Sequence, residues 1–133
     1  MDIAAAFVAN HAEIEGDKLY VAGGAWAWLR VTTLPQSMVI QLALILVAEQ
    51  DEGIDSVLVR VFVSDTTPMP SYGTELLVPW PKRESLQPSQ PVVVPVVLNV
   101  PYTVKRAGRH RLDVVFDYDG SARCSVPFAV IGP

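Results

Sequence analysis

The side chains able to do acid–base or nucleophilic chemistry are few: two histidines, His11 and His110, and one cysteine, Cys124. A histidine acts as a general base only where an acid or a nucleophile lies within hydrogen-bond reach. The acid nearest to His11 is Glu13, two residues away and therefore on the same face if the segment is a strand. We expect His11 to be a hydrogen-bonded structural residue, and His110, in a charged segment, to be solvated.

The same residues argue against an enzyme. Cys124 falls on the apolar face of a predicted strand, where a thiol is packed and unreactive. Two histidines and one cysteine are too few to build a tetrahedral zinc site from nitrogen and sulfur ligands. The sequence also has no Gly-x-Ser-x-Gly nucleophile motif. We therefore expect no catalytic residue, no metal site and no cofactor.

Acidic residues near two predicted turns leave one alternative open. Sandwich loops that carry several carboxylates can bind calcium through oxygen ligands. This would require both turns to lie at the same end of the molecule, and ordinary turn chemistry is the simpler interpretation. The residues concerned are Asp51, Glu52, Asp55 and Asp65 at one turn and Asp113, Asp117 and Asp119 at the other.

Three tryptophans are the candidates for a contact or ligand surface, together with His11. Trp26 and Trp28 are two residues apart, so a strand would place both rings on one side, where they could stack on a sugar or a base. Packing in a core or an interface is the favoured interpretation, because the preceding glycines make room for large rings. Trp80 lies between two prolines, and we expect it to be a loop anchor that is partly exposed.

Length, charge and hydropathy narrow the class of protein. A chain of 133 residues is the size of one domain, which we place at 1–133. The net charge of −4 and the lack of a long basic stripe argue against nucleic acid as a partner. The mean hydropathy of +0.31 is high for a small domain. Surplus apolar surface of this kind predicts a homo-oligomer or a contact with another protein.

The compartment is predicted from three further features. One cysteine cannot form an internal disulfide, which fits a reducing compartment. The N-terminus lacks the basic region that opens an export signal. The longest apolar stretch, residues 38–48, is about half the ~20 residues of a membrane helix. We expect a cytoplasmic protein that makes no membrane contact.

Short valine-rich segments between eleven prolines and eight glycines predict an all-β fold. Residues 57–63 alternate strictly, and residues 109–131 form two such segments around an Asp-Gly turn signal. Residues 38–49 could be a helix or a buried strand, and their strand neighbours favour the strand. Pro95 predicts that its strand lies at the edge of a sheet or contains a bulge. About eight strands with one apolar face each predict a two-sheet antiparallel β-sandwich, immunoglobulin-like or C2-like.

Two segments resemble a known family. The first is Asn10-His11-Ala12-Glu13 followed by residues 16–26, which read GDKLYVAGGAW, and the second runs from GRHRL at 108–112 through Asp119-Gly120 to Val126-Pro127-Phe128. Together they are similar to the bacterial proteins grouped as domain of unknown function 6941. The resemblance implies a bacterial, cytoplasmic protein, and it assigns no catalytic or binding residue.

Two functional hypotheses follow. The first is a non-enzymatic protein-binding or assembly module that uses a sheet face or an edge strand to meet its partner. The second is a small-ligand or carbohydrate-binding sandwich that uses Trp26, Trp28 or Trp80.

Overall fold

The structure, a computed structural model, describes residues 2–48, 55–65, 72–81, 91–116 and 123–133. These residues form strands and connecting turns, which confirms the all-β prediction, and residues 38–48 are strand rather than helix. No helix in the described part of the chain is long and apolar enough to span a membrane. The described strands are β1 (Asp2–Glu15), β2 (Lys18–Gly24), β3 (Trp28–Arg30), β4 (Gln36–Ala48), β5 (Ser56–Ser64), β6 (Tyr72–Pro79), β7 (Val92–Val104), β8 (Gly108–Phe116) and β9 (Arg123–Ile131).

The strands form two sheets, a four-stranded sheet in the order β2-β1-β4-β7 and a five-stranded sheet in the order β3-β9-β8-β5-β6. The five-stranded sheet curls into a half-barrel. The hairpins β1–β2, β5–β6 and β8–β9 each lie within one sheet. All the remaining connections between consecutive strands pass from one sheet to the other. Pairing is antiparallel with one exception, because the short strand β3 runs parallel to β9. The prediction of purely antiparallel pairing was therefore wrong at this strand.

One hydrophobic core draws on both sheets. The strict alternation predicted for residues 57–63 is confirmed, since all four valines on that face are buried. The β8–β9 hairpin is confirmed as well, with Leu112 opposite Val126 and both buried. The predicted turn at Asp119-Gly120 lies outside the described residues. The largest fully buried side chains are those of Leu42, Leu44, Leu46, Leu112 and Phe116.

Strand β1 has two partners along its length, and this positions the candidate site. It pairs with β4 from Asp2 to Ala9 and with β2 from Ala9 to Glu15. Beyond Ala9, the hairpin of β1 and β2 (residues 10–24, the arm) leaves the plane of the sheet. Cα atoms of β2 come within 8 Å of β7, although a flat sheet in this order would separate these strands by about 14 Å. The arm therefore folds over the outer face of β4.

Small side chains allow this close approach. Ala9, Ala12 and Ala43 form a second buried cluster, against which Leu19 and Val97 pack. The arm ends in a bend with unusual backbone angles, since Gly23 and Ala25 have φ values of 62° and 59°. This bend carries the chain from the four-stranded sheet into β3 of the other sheet.

Strand β7 lies at the edge of the four-stranded sheet, as Pro95 predicted. Its pairing with β4 runs without a break through Pro95 and Pro101. A proline has no N–H to donate, so both ring nitrogens must face the side away from β4. Two prolines therefore remove donors from the exposed edge of β7 and make it a poor template for another strand.

Candidate functional site

A groove of about 440 Å³ lies where the arm separates from β4. Ala9 and Asn10 of β1 line it on the arm side, residues 38–40 line it on the β4 side, and Trp28 and Leu29 of β3 come from the other sheet. Trp26, just before β3, completes the lining. Among the described residues that line it, none is charged, and the polar side-chain groups are the amide of Asn10 and the indole N–H groups of the two tryptophans.

One wall of the groove belongs to a strand edge that has no partner in the described part of the chain. Strand β4 pairs with β7 over its whole length, from Gln36 to Ala48. On its other side, its pairing with β1 ends at the Ala9–Gln41 pair. Among the described residues, residues 36–40 (the open edge of β4) therefore have a neighbouring strand on one side only. Unlike β7, this segment contains no proline.

The two tryptophans predicted to act together both line this groove, but they do not form a pair on one strand face. Trp26 precedes β3 and packs against the core, where its ring meets Phe128 edge-on at a centroid distance of 5.8 Å. Its indole nitrogen Nε1 is buried and has no hydrogen-bond partner among the described residues. Trp28 is 56 % exposed. Trp28 is therefore the one ring of this pair that presents substantial area to solvent.

The remaining predicted site residues lie elsewhere. Trp80 is only 5 % exposed and belongs to the core, so the expectation of an exposed ring was wrong. Its backbone N–H donates to the Asp55 carbonyl at 2.9 Å, which fixes the end of β6 against the start of β5. His11 lies on the arm, outside the groove lining, with Nε2 3.7 Å from the Glu13 carboxylate. His11 and Glu13 do share a face, and both side chains are exposed.

His110 is buried, and the prediction that it would be solvated was wrong. Its side chain is 3 % exposed and stacks on Phe128. Nε2 lies 2.9 Å from the Arg106 carbonyl, which can only accept, so Nε2 must carry the proton. In the neutral ring Nδ1 then accepts from the Tyr102 hydroxyl at 2.8 Å. Both ring nitrogens are thus satisfied, which is what burial of an imidazole requires.

Two carboxylates of the calcium hypothesis, those of Asp65 and Asp113, are held by arginines. Arg106 donates to Asp65 at 3.0 Å, and this hydrogen bond raises the pKa of the guanidinium. Asp113 accepts from Arg111 at 3.0 Å and from the Ser125 hydroxyl at 2.6 Å. Within the described ranges, no group of three or more metal-ligating side chains comes together. Asp51, Glu52, Asp117 and Asp119 of the calcium hypothesis lie outside these ranges.

Cys124 lies opposite Val114 and packs against the core from a partly buried position. Burial, and to a lesser extent the nearby Asp113 carboxylate, raises the pKa of this thiol. A raised pKa lowers the fraction of thiolate, the form that reacts.

Comparison with known proteins adds no relative to this picture: no protein-family model, curated protein or solved structure matches the chain significantly. The open edge of β4 was not predicted from the sequence, because it depends on where β1 changes partner. Gly23-Gly24 is the one available signal, because two glycines permit a bend or bulge as well as making room for the rings that follow.

Proposed function

We propose that the protein is a non-enzymatic protein-binding or assembly module that meets its partner at the groove and the open edge of β4. One observation carries the proposal: residues 36–40 form an unprotected strand edge beside an uncharged groove. Exposed strand edges bind other chains readily, so proteins block those that they do not use. Here Pro95 and Pro101 block the edge of β7, whereas residues 36–40 carry no such protection.

A second copy of the chain is one partner that fits this proposal. The outer face of β4 and β7 carries no charged side chain, so the parts of it that the arm leaves uncovered would meet a second copy without electrostatic repulsion. The arm covers the middle of this face. At the two ends of the face, the apolar side chains of Val39 and Val93 are exposed. This face consists of Ser37, Val39, Gln41, Ala43, Ile45 and Val47 of β4 and Val93, Pro95, Val97, Asn99, Pro101 and Thr103 of β7.

Site-specific photo-crosslinking in cells of the source organism tests the proposal. Val39 borders the groove and is 62 % exposed, and Leu77, on β6 of the other sheet, is 60 % exposed and serves as the matched control. A benzophenone side chain at position 39 should yield discrete adducts, either with another protein or with a second copy. The same group at position 77 should not yield them, and Trp28→Ala should weaken those formed at position 39. Equal labelling from both positions, or none from position 39, would contradict the proposal.

Exposure of Trp28 in the groove favours a second candidate function, the binding of a small ligand or carbohydrate. A sugar would stack on this ring, and Asn10 could bond one hydroxyl. Small-molecule sites ordinarily orient their ligand with several polar groups, whereas this groove offers a sugar one exposed ring and one amide side chain. Quenching or a wavelength shift of tryptophan emission on addition of glucose or a methyl glycoside, lost in Trp28→Phe as well as Trp28→Ala, would support this function over the first.

We further propose that the fold is a two-sheet β-sandwich, that the protein is related to a known bacterial family, and that it is cytoplasmic. The main hydrophobic core, to which both sheets contribute, supports a two-sheet β-sandwich. The Asn10 to Trp26 segment and the final hairpin support a relationship to the proteins of domain of unknown function 6941. The single cysteine supports a cytoplasmic location.

A further inference from the structure

We infer that the groove binds an extended segment of a partner protein, which adds as a strand to the open edge of β4 in the place that β1 leaves after Ala9. This inference rests on the proposed function and specifies its partner chemically: an uncharged segment with apolar residues at alternate positions. The other possible occupants, a second copy's outer face or a small ligand, are outcomes of the test.

The backbone of β4 defines the first requirement. In a strand, alternate residues turn their N–H and C=O groups to opposite edges. Residues 36–40 are opposite Val100–Val104 of β7, which can satisfy only the groups on that side. About two or three of the five residues thus offer backbone donors and acceptors to the groove side. An extended chain offers the matching alternation of N–H and C=O, which a sugar or a compact side-chain surface does not.

The lining of the groove defines the second requirement. Successive side chains of an added strand point to opposite faces, so every second one would enter the space between β3 and β4. Ile40, Leu29 and Met38 meet it there. A charged side chain would lose its water without gaining a partner, because the lining holds no charge. The inward-facing residues of the partner must therefore be apolar.

Trp28 adds apolar area that fits the same ligand. Its ring lines the groove and is 56 % exposed. A segment that adds to the open edge of β4 would cover this ring, and burial of an aromatic ring is favourable.

The test titrates the ¹⁵N-labelled protein with a blocked peptide, acetyl-Thr-Val-Thr-Val-Thr-Val-amide. Amide signals of residues 38–40 and the indole signal of Trp28 should shift with saturation. Two further peptides carry N-methyl groups, one on its three valines and the other on its three threonines. Only one alternate set of amides can face β4, so one methylated peptide should bind roughly tenfold more weakly and the other about as well as the parent.

Substitutions complete the design. Trp28→Ala removes an exposed ring, so the protein should fold and bind the parent peptide several-fold more weakly, whereas Leu77→Ala should leave binding unchanged. Absence of shifts up to millimolar peptide, equal binding of both methylated peptides, or shifts centred elsewhere would overturn the inference. A response to methyl glucoside but not to the peptide would overturn it too. If crosslinks form at position 39 but the peptide does not bind, the protein-binding proposal is supported and the inference of strand addition is refuted.

Discussion

The side-chain amide of Gln41 binds the backbone of Ala12 at the point where β1 leaves β4. Oε1 accepts from the Ala12 N–H at 2.9 Å, and Nε2 lies 3.4 Å from the Ala12 carbonyl. Nε2 also donates to Asn99 Oδ1 of β7 at 3.0 Å. The Gln41 side chain therefore takes the place of the backbone pairing between β1 and β4 that ends at Ala9. It holds the arm over the outer face of the sheet.

Gln41→Leu should release the arm. The substitution leaves the Ala12 N–H and C=O without these partners, which costs about 1–3 kcal/mol of the free energy of unfolding. Urea denaturation should show this loss, and the Ala12 amide should exchange its hydrogen faster. Ser37→Ala is the control, because the Ser37–Thr103 hydrogen bond is exposed. Unchanged exchange at Ala12 would show that the amide of Gln41 does not hold the arm.

Tyr102→Phe should destabilise the fold through His110. The change leaves Nδ1 of a buried imidazole without its donor, at a cost of about 1–3 kcal/mol. Thermal unfolding monitored by circular dichroism measures the loss. Tyr20→Phe, at an exposed position of the arm, should change stability by less than about 0.5 kcal/mol. Equal stabilities of the two variants would mean that the hydroxyl–imidazole hydrogen bond contributes nothing.

Gly23→Ala and Gly16→Ala form a matched pair at the two ends of the arm. Both glycines have φ near 65°, at 62° and 66°, so an alanine at either should cost about 1–2 kcal/mol of backbone strain. A Cβ at Gly16 meets nothing within 4 Å, whereas one at Gly23 would overlap the Asn10 side chain. Asn10 is exposed and its side chain can rotate away, so we expect Gly23→Ala to lose only about 0.5–1 kcal/mol more in denaturant unfolding. A smaller loss than that of Gly16→Ala would contradict the close contact with Asn10.

The thiol of Cys124 should react slowly. Its raised pKa reduces the thiolate fraction at pH 8, and its partly buried position limits access. Labelling with a disulfide reagent should be faster in the urea-unfolded chain than in the folded one. The same shift makes stability fall as pH rises above the thiol's unfolded pKa of about 8.5. Cys124→Ala should lack that component of the fall, and an identical pH profile in both proteins would argue against the shift.

How far the sequence predicted this fold depends on the range of the contacts. The alternation at residues 57–63 and the hairpin of β8 and β9 are local patterns, and both are confirmed. The burial of Trp80 depends on packing against strands far along the chain, which its proline neighbours do not reveal. His110 lies within a basic segment, yet period two places it on the face of Phe128, where a hydroxyl eight residues earlier satisfies it.

The groove was the least predictable feature. Trp26 and Trp28 marked its position, but strand spacing placed both rings on one face, because the sequence does not show that β3 begins only at Trp28. The open edge follows from the register of Ala9 against Gln41, thirty-two positions apart, and from the side chain of Gln41. Neither relationship has a local sequence signature.

Hydrogen exchange along β4 in the free protein tests the open edge most directly. Within the described residues, amides of residues 41–47 on the β1 side lie along the pairing with β1, and those of residues 36–40 on the same side have no facing strand. We predict that alternate amides within 36–40 exchange at least about a hundredfold faster than the slowest amides of 42–46. Uniform protection along the whole of β4 would show that the edge is already paired, and it would contradict both the open edge and the binding site built on it.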